Sequence, residues 1–412
     1  MVKISRFVLV IIGVIVTAMA IPDLYWTIFQ ESRPVPNVMF SHVIDDFIIV
    51  QPGEDGVIRK DASGNTYTSE EVEQKLPLMF FRQLAADGTM PDSLKGVPMD
   101  HATISTHRGS YSYIPRNINT PEPVLLPLIE AESGRVGLSL PEDFFRLKNR
   151  IEFIVAETNE VDKEKSRIFN DALLEKGFSF PAQLIAGIPT VMKSKDEGYF
   201  IKDDEGDLYH LKKIRGEPYV ARIDIPEDMD IVFIESVDMR TEEFYAYLYT
   251  EDNEVYVILD EVYYLQKLPV EGFDRNRDRL RIRHDLFGKT ISVIGEDFMK
   301  VIRIDDVYEV IDTYETTWEP RHERPDHRMF ARLFPFEIRL EIPDSRYVGF
   351  FFNFAHGYSW LLLNLLFVAL AIWLIKRKGR DIRKNIPDLF VILLAGFFGF
   401  IATRVFPNKF YE

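Results

Sequence analysis

The 412-residue sequence contains no cysteine, which excludes thiol catalysis, zinc–thiolate sites and a disulfide framework. It has no phosphate-binding Gly-rich loop, so the energy for any transport it serves comes from another chain. Positive charge is scarce away from the ends. Ten of the 49 Lys and Arg lie in 1–23 and 376–412, which leaves 39 basic against 61 acidic residues in 24–375, a net charge of −22. Such a surface repels nucleic acid and anionic headgroups. What is plentiful is apolar and aromatic: 46% hydrophobic residues, with 32 Phe and 18 Tyr. That composition excludes bulk disorder and favours β-structure held by cross-strand aromatic pairs. A domain of this size builds a sufficient core without disulfides, so export and the lack of Cys are compatible.

Three apolar runs predict membrane segments. Phe7–Ile21 follows Lys3 and Arg6 and continues through Tyr25 and Trp26 to Phe29, the pattern of an N-terminal anchor over 1–29. The alternative is a signal peptide cleaved near Ala18-Met19-Ala20. The second run gives a helix over 348–376 and the third a helix over 386–407. Between them the loop 377–385, with Lys376 at its edge, is strongly basic. The positive-inside rule places that loop and the N-terminus in the cytoplasm of an inner-membrane protein. The domain 30–347 and the C-terminus, Asn408–Glu412, are then extracytoplasmic. Ala395, Gly399 and Thr403 share one face of the last helix at a spacing that lets helices approach closely, and Asn364 is a polar residue expected to face another helix. A tether needs one helix, so the additional hairpin points to packing against a membrane partner, a transporter permease.

Within 30–347 a turn motif recurs. Asp61-Ala-Ser-Gly64-Asn65-Thr-Tyr67 aligns with Asp203-Asp-Glu-Gly206-Asp207-Leu-Tyr209 and Thr250-Glu-Asp-Asn253-Glu254-Val-Tyr256. Asp285-Leu-Phe-Gly288-Lys289-Thr-Ile291 reads as a fourth copy and Ala156-Glu-Thr-Asn159-Glu160-Val-Asp162 as a degraded fifth. Gly or Asn supplies the positive φ of a tight turn, and the leading Asp bonds its own backbone. Steps near 47 residues suit four-stranded blades. The expectation is a mainly β, antiparallel, propeller-like repeat domain carrying one N-terminal and two C-terminal transmembrane helices. A β-sandwich or solenoid is the alternative. Thr68 and Glu71 form a capping box for a helix that Pro77 kinks; Ser166–Lys176 reads as a second helix, and 89–124 as a long loop.

Sites are sparse. His322, Asp326 and His327 are a weak metal candidate, because the second His falls five residues on and Pro325 intervenes. The acidic run Asp203, Asp204, Glu205 and Asp207 lacks calcium-loop spacing and reads as a solvated hairpin. Asp100, His101 and His107 imitate acid–base residues without a nucleophile. No cofactor is implied.

The stretch LPLMFFRQLAADGTMPDSLKGVPM (76–99), the run EFYAYLYTEDNEVYVILDEVYYLQKLPVEGFD (243–274) and the terminal helices resemble an uncharacterised bacterial membrane family, domain of unknown function 4857. The resemblance implies a cell-envelope setting, in some members beside ATP-binding-cassette transport systems, and carries no catalytic residues. Three function classes follow. The first is a non-enzymatic envelope interaction module accessory to such a transporter. The second is an extracytoplasmic sensor of a small molecule or glycan whose identity the sequence does not give. The third is an envelope hydrolase.

Overall fold

A computed structural model describes residues 2–31, 35–53, 56–120, 123–132, 134, 137–239, 243–259 and 262–408. The chain forms two compact units, Val35–Thr316 and a helical unit made of Met1–Pro34 with Thr317–Glu412.

Helix α1 (Val2–Phe29) precedes the larger unit, which opens with β1 (Asn37–Ser41), β2 (Asp46–Gly53) and β3 (Gly56–Asp61) in one antiparallel sheet. Next come α2 (Ser69–Lys75) and α3 (Pro77–Ala86). Thr68 and Glu71 form the reciprocal capping box, and the chain breaks at Leu76 ahead of Pro77. Residues 89–124 are not the expected loop. They hold a short hairpin of β4 (Ser93–Leu94) and β5 (Val97–Pro98), then α4 (His101–His107), β6 (Gly109–Tyr113) and α5 (Pro115–Ile118).

Four antiparallel sheets follow. The first joins β7 (Asp143–Leu147), β8 (Ile151–Val155) and β9 (Val161–Asp162), and leads into α6 (Lys163–Glu175). The next two are four-stranded meanders. One runs through β10 (Leu184–Gly187), β11 (Tyr199–Lys202), β12 (Leu208–Ile214) and β13 (Glu217–Ile223). Its successor runs through β14 (Ile231–Ser236), β15 (Phe244–Thr250), β16 (Val255–Leu259) and β17 (Leu265–Lys267). The last comprises β18 (Arg279–Asp285), β19 (Gly288–Ile294), β20 (Phe298–Ile304) and β21 (Val310–Thr317), with β6 added beside β18. First strands at 184, 231 and 279 repeat at the step read from the sequence.

Neighbouring sheets share cores. Phe145, Phe153, Phe169 and Tyr209 join β7–β9 and α6 to the first meander; Phe200, Leu208, Ile234 and Leu248 join the two meanders. Tyr111, Tyr247, Tyr249, Ile282 and Ile291 join the second meander to the last sheet. Here Tyr111 stacks on Tyr247 and Tyr113 on Tyr249, with centroids 4.0 and 4.5 Å apart. Each such pair adds about 0.5–1.5 kcal/mol beyond its area burial. The propeller expectation needs correction in two respects. The sheets do not close into a ring, and helix and strand occupy nearly equal shares of the chain, so it is not mainly β.

The repeated turn has one backbone form. The first residue's N–H donates to the carbonyl four residues on, at 3.0 Å for Asp61, 3.0 Å for Asp203 and 3.1 Å for Thr250. The fourth residue takes a positive φ: 94° at Gly64, 95° at Gly206 and 63° at Asn253. Asp285 is not a copy. It pairs directly with Gly288, leaving a two-residue hairpin of Leu286 and Phe287. The fourth copy is Asp305–Glu309, bonded at 3.0 Å with Tyr308 at φ 67°. The fifth is one residue longer, closing from Val155 N–H to Glu160 O at 2.9 Å.

The second unit combines α1 with α7 (Pro325–Leu333), a hairpin of β22 (Phe336–Arg339) and β23 (Phe351–Phe354), α8 (Trp360–Arg377) and α9 (Ile386–Val405). Residues 317–347, read from sequence as part of the exported domain, belong here, and the second membrane helix starts at Trp360 rather than 348. Among the described residues three helices are long and apolar enough to cross a membrane: Ile4–Phe29, Trp360–Arg377 and Arg383–Val405. The unit's core is Ala18, Tyr25, Phe330, Phe334, Ile338, Ala395 and Phe398. Trp26 stacks on Phe330 at 4.7 Å and donates its ring N–H to Glu337 at 2.7 Å. Helix α9 is interrupted at Gly396, whose φ of 55° and ψ of −126° are not helical.

Candidate functional site

In the larger unit a cavity of about 280 Å³ opens between β1, the α2–α3 break, α4 and the hairpin after β18. Its apolar wall comes from Met39, Phe40, Leu76, Leu78, Met79, Leu94, Ile104 and Leu286. The break ahead of Pro77 turns Leu76, Leu78 and Met79 towards it, so the proline kink shapes the wall.

Three cations stand around this wall: Lys75, Arg108 and Arg283. Lys75 lies 4.6 Å over the Tyr67 ring and Arg108 lies 5.8 Å over that of Phe81. Arg283 donates to the Asn37 side-chain oxygen at 2.8 Å and the Val38 carbonyl at 3.2 Å, both uncharged. Burial, followed by the charges of Arg281 and Arg108, lowers the Arg283 pKa to about 10. Among the described residues none of the three forms an ion pair with a carboxylate. The cavity is therefore a cationic spot in an acidic domain.

The one lining carboxylate among the described residues is already neutralised. Asp285 accepts two bonds from the fully buried Arg303 at 2.7 and 2.9 Å, and its oxygens lie 3.4 and 3.5 Å from His42 Nε2. Burial alone raises the Asp285 pKa; the bond from His42 and the charge and bonds of Arg303 outweigh it and bring it to about 2. Beside it, His284 is buried, and its Nε2 lies 3.1 Å from the Tyr247 hydroxyl. Burial and then Lys289 lower its pKa to about 4, which keeps it neutral at pH 7. His42 and Asp285 could form the base and orienting half of a triad, yet His42 Nδ1 has no hydrogen-bond partner. Among the described residues no nucleophile is bonded to it. A triad needs a nucleophile within hydrogen-bond reach of its base, and the described residues around His42 show none.

The family described as Domain of unknown function (DUF4857) matches residues 37–303, well over half of the chain and all of this cavity's lining. The chain belongs to that family. No curated protein matches it. Among solved structures, a Dos1 propeller aligns at 12% identity and a TM-score of 0.25, over 69% of this chain and 63% of that one, under two thirds of its length. Dihydro-heme d1 dehydrogenase NirN in complex with DHE aligns at 10% identity and 0.22, over 62% and 73%. The WD40 domain of SCAP from fission yeast aligns at 11% and 0.23, over 70% and 55%. At such scores these likenesses carry no argument about sheet arrangement or activity.

The residues singled out from sequence lie elsewhere, apart from Asp285. His322 sits exposed with its ring 4.7 Å from His356, while Asp326 is buried, accepting the Glu31 N–H at 3.1 Å and bonding His327 Nδ1 at 3.0 Å. His322, Asp326 and His327 therefore do not converge, and among the described residues no group of three His, Asp or Glu could hold a metal. Asp100 is the N-cap of α4, accepting the Thr103 N–H at 2.9 Å. Asp203 accepts the backbone N–H groups of Ser179, Glu205 and Asp207 at 2.9–3.0 Å, and so is a turn residue. Ala395, Gly399, Thr403 and Asn364 are all buried within the chain's own helices. Sequence reasoning missed Lys75, Arg283 and Arg303. The available signal was Arg303 itself, a charge at an inward position among Val301, Ile302 and Ile304.

Proposed function

We propose that this chain is a membrane-anchored, non-enzymatic binding module of the cell envelope, whose exported domain takes a small amphiphilic anion in the cavity beside Asp285. The supporting observation is the pairing of an apolar wall with Lys75, Arg108 and Arg283, three cations with no carboxylate partner among the described residues. A ligand carboxylate or phosphate meets those cations, and its hydrocarbon part displaces water from Leu76, Leu94 and Ile104.

Thermal unfolding of the detergent-solubilised full chain with octanoate, octanol and octylamine tests this reading. Octanoate is expected to raise the midpoint, because a ligand at a hundred times its dissociation constant stabilises by about 2.7 kcal/mol. Octylamine is not. The shift should vanish in R283Q and in I104W, which fills the cavity. Equal shifts from octanoate and octylamine, or an octanoate shift that survives I104W, refute it.

The accessory role at an ATP-binding-cassette transporter takes second place. That role calls for a small-residue face open to a permease, and Ala395, Gly399 and Thr403 are buried inside this chain. Cross-linking in the native membrane that captures a permease would restore it.

A further inference from the structure

The break in α9 changes how the chain meets the membrane. A continuous helix puts Asp388 and Phe406, eighteen residues apart, about 27 Å from each other. Yet one guanidinium reaches both. Arg6 donates to the two carboxylate oxygens of Asp388 at 2.8 and 2.7 Å and, through Nε, to the Phe406 carbonyl at 3.0 Å. Beyond the helix, the Asn408 side-chain amide donates to the Lys384 carbonyl at 3.1 Å, joining the two approaches to α9. Between these ends the halves lie against each other. A Cβ on Gly399 would come 2.6 Å from the carbonyl of Val391, eight residues earlier, a distance that only a folded-back helix allows.

We infer that α9 does not cross the membrane: it is a re-entrant helical hairpin with its tip at Gly396, so α1 and α8 are the two crossings and Asn408 returns to the side of the basic loop. Each half is about 15 Å long, half of a ~30 Å hydrocarbon core. Non-helical backbone at membrane depth must be enclosed by protein, and here it is. Asn364 of α8, with no exposed surface, donates to the Leu393 carbonyl at 2.9 Å, satisfying a group that the break orphans. Phe398 stacks on Phe334 at 5.3 Å, and Gly13 of α1 lets Ala402 approach to 3.1 Å from its Cβ position. Charge agrees independently. A third crossing carries Arg404 to the face opposite the basic loop, against the positive-inside rule, whereas the hairpin brings it back. The extracytoplasmic C-terminus expected from three spans is thereby replaced; residues 409–412 themselves lie outside those described.

The absence of native cysteine makes the test direct. Single variants M192C in the larger unit, K378C in the basic loop and N408C are exposed to a membrane-impermeant maleimide in intact and permeabilised cells. M192C is expected to label in intact cells, and K378C and N408C only after permeabilisation. The pair K384C/N408C is then oxidised in the membrane and is expected to form a disulfide that protects both thiols until reduction. N408C labelling on the same side as M192C overturns the proposal. So does a K384C/N408C pair that stays reactive after oxidation, and this second readout decides the case if N408C proves inaccessible from both sides.

Discussion

Arg303 has no exposed surface and donates to both carboxylate oxygens of Asp285, at 2.7 and 2.9 Å, from a position flanked by the buried Ile302 and Ile304 near the end of β20. Removing one member of such a pair leaves the other charged and desolvated. D285N should therefore destabilise the full chain in detergent by about 3–5 kcal/mol. Replacing both residues, as in D285L/R303M, should cost clearly less than D285N alone, because no charge remains stranded. Denaturant unfolding followed by tyrosine fluorescence gives both values; a D285N loss below about 1 kcal/mol would mean that water reaches Arg303.

Acid should weaken the domain in two stages. The folded pKa of His284 is depressed to about 4, and that of the buried His210 to about 3, burial being the main cause in each. An unfolded histidine titrates near 6.5, so below that the unfolded chain takes up protons that the folded one refuses. The stability lost as pH falls from 6.5 to about 4 is on the order of 3 kcal/mol per histidine. Asp285 acts in the next window. Its folded pKa of about 2 lies below the ordinary carboxylate value, so its contribution is present above about pH 4 and disappears towards pH 2. In a pH series of unfolding midpoints H284F should shrink the first stage by about half, His210 supplying the remainder, and leave the second. An unchanged profile between pH 6.5 and 4 would show that His284 is not held neutral.

Two glycines with positive φ should respond unequally to alanine. Gly64, at φ 94°, has open space where a Cβ would go, so G64A carries only left-handed strain, about 1–2 kcal/mol. A Cβ on Gly288, at φ 128°, would lie 2.2 Å from the Ile304 carbonyl and 2.7 Å from Asp305 backbone atoms. G288A must push β20 away from β19, so its loss should exceed that of G64A by at least about 1 kcal/mol. Equal losses in paired unfolding curves would contradict the close approach.

Parts of this fold were legible in the sequence for identifiable reasons. The capping box at Thr68 and Glu71, the kink at Pro77 and the turns at Asp61, Asp203 and Thr250 are local; their geometry follows from residues within one turn of each other. The addition of β6 beside β18 was not legible, because Tyr111 meets Ile282 across a large sequence separation. Asp285-Gly288 misled because a two-residue hairpin and the longer turn both require glycine chemistry. The cavity is not legible because its three cations come from three separate segments, although Arg303 in MKVIRID marks a buried charge. The hairpin in α9 was hidden by composition: Ala395, Gly396 and Gly399 are ordinary membrane-helix residues, and only their contacts reveal the break.

Asn364 and Gly396 should be energetically coupled, and the sign of the coupling is specific to their geometry. A Cβ on Gly396 would fall 2.0 Å from Asn364 Oδ1, at a backbone φ of +55°. G396A thus carries both left-handed strain and a clash with a side chain anchored to the Leu393 carbonyl. N364A alone loses that bond, on the order of 1 kcal/mol, while the Oδ1 it removes had no partner to lose. In the double variant N364A/G396A the clash is gone and the strain remains. Its loss should fall short of the sum of the single losses by about 1–3 kcal/mol. Reversible unfolding in mixed detergent micelles measures the three variants on one scale. Additive losses would mean that Asn364 does not sit over the break, whereas a double variant no less stable than G396A alone would locate the clash at Oδ1.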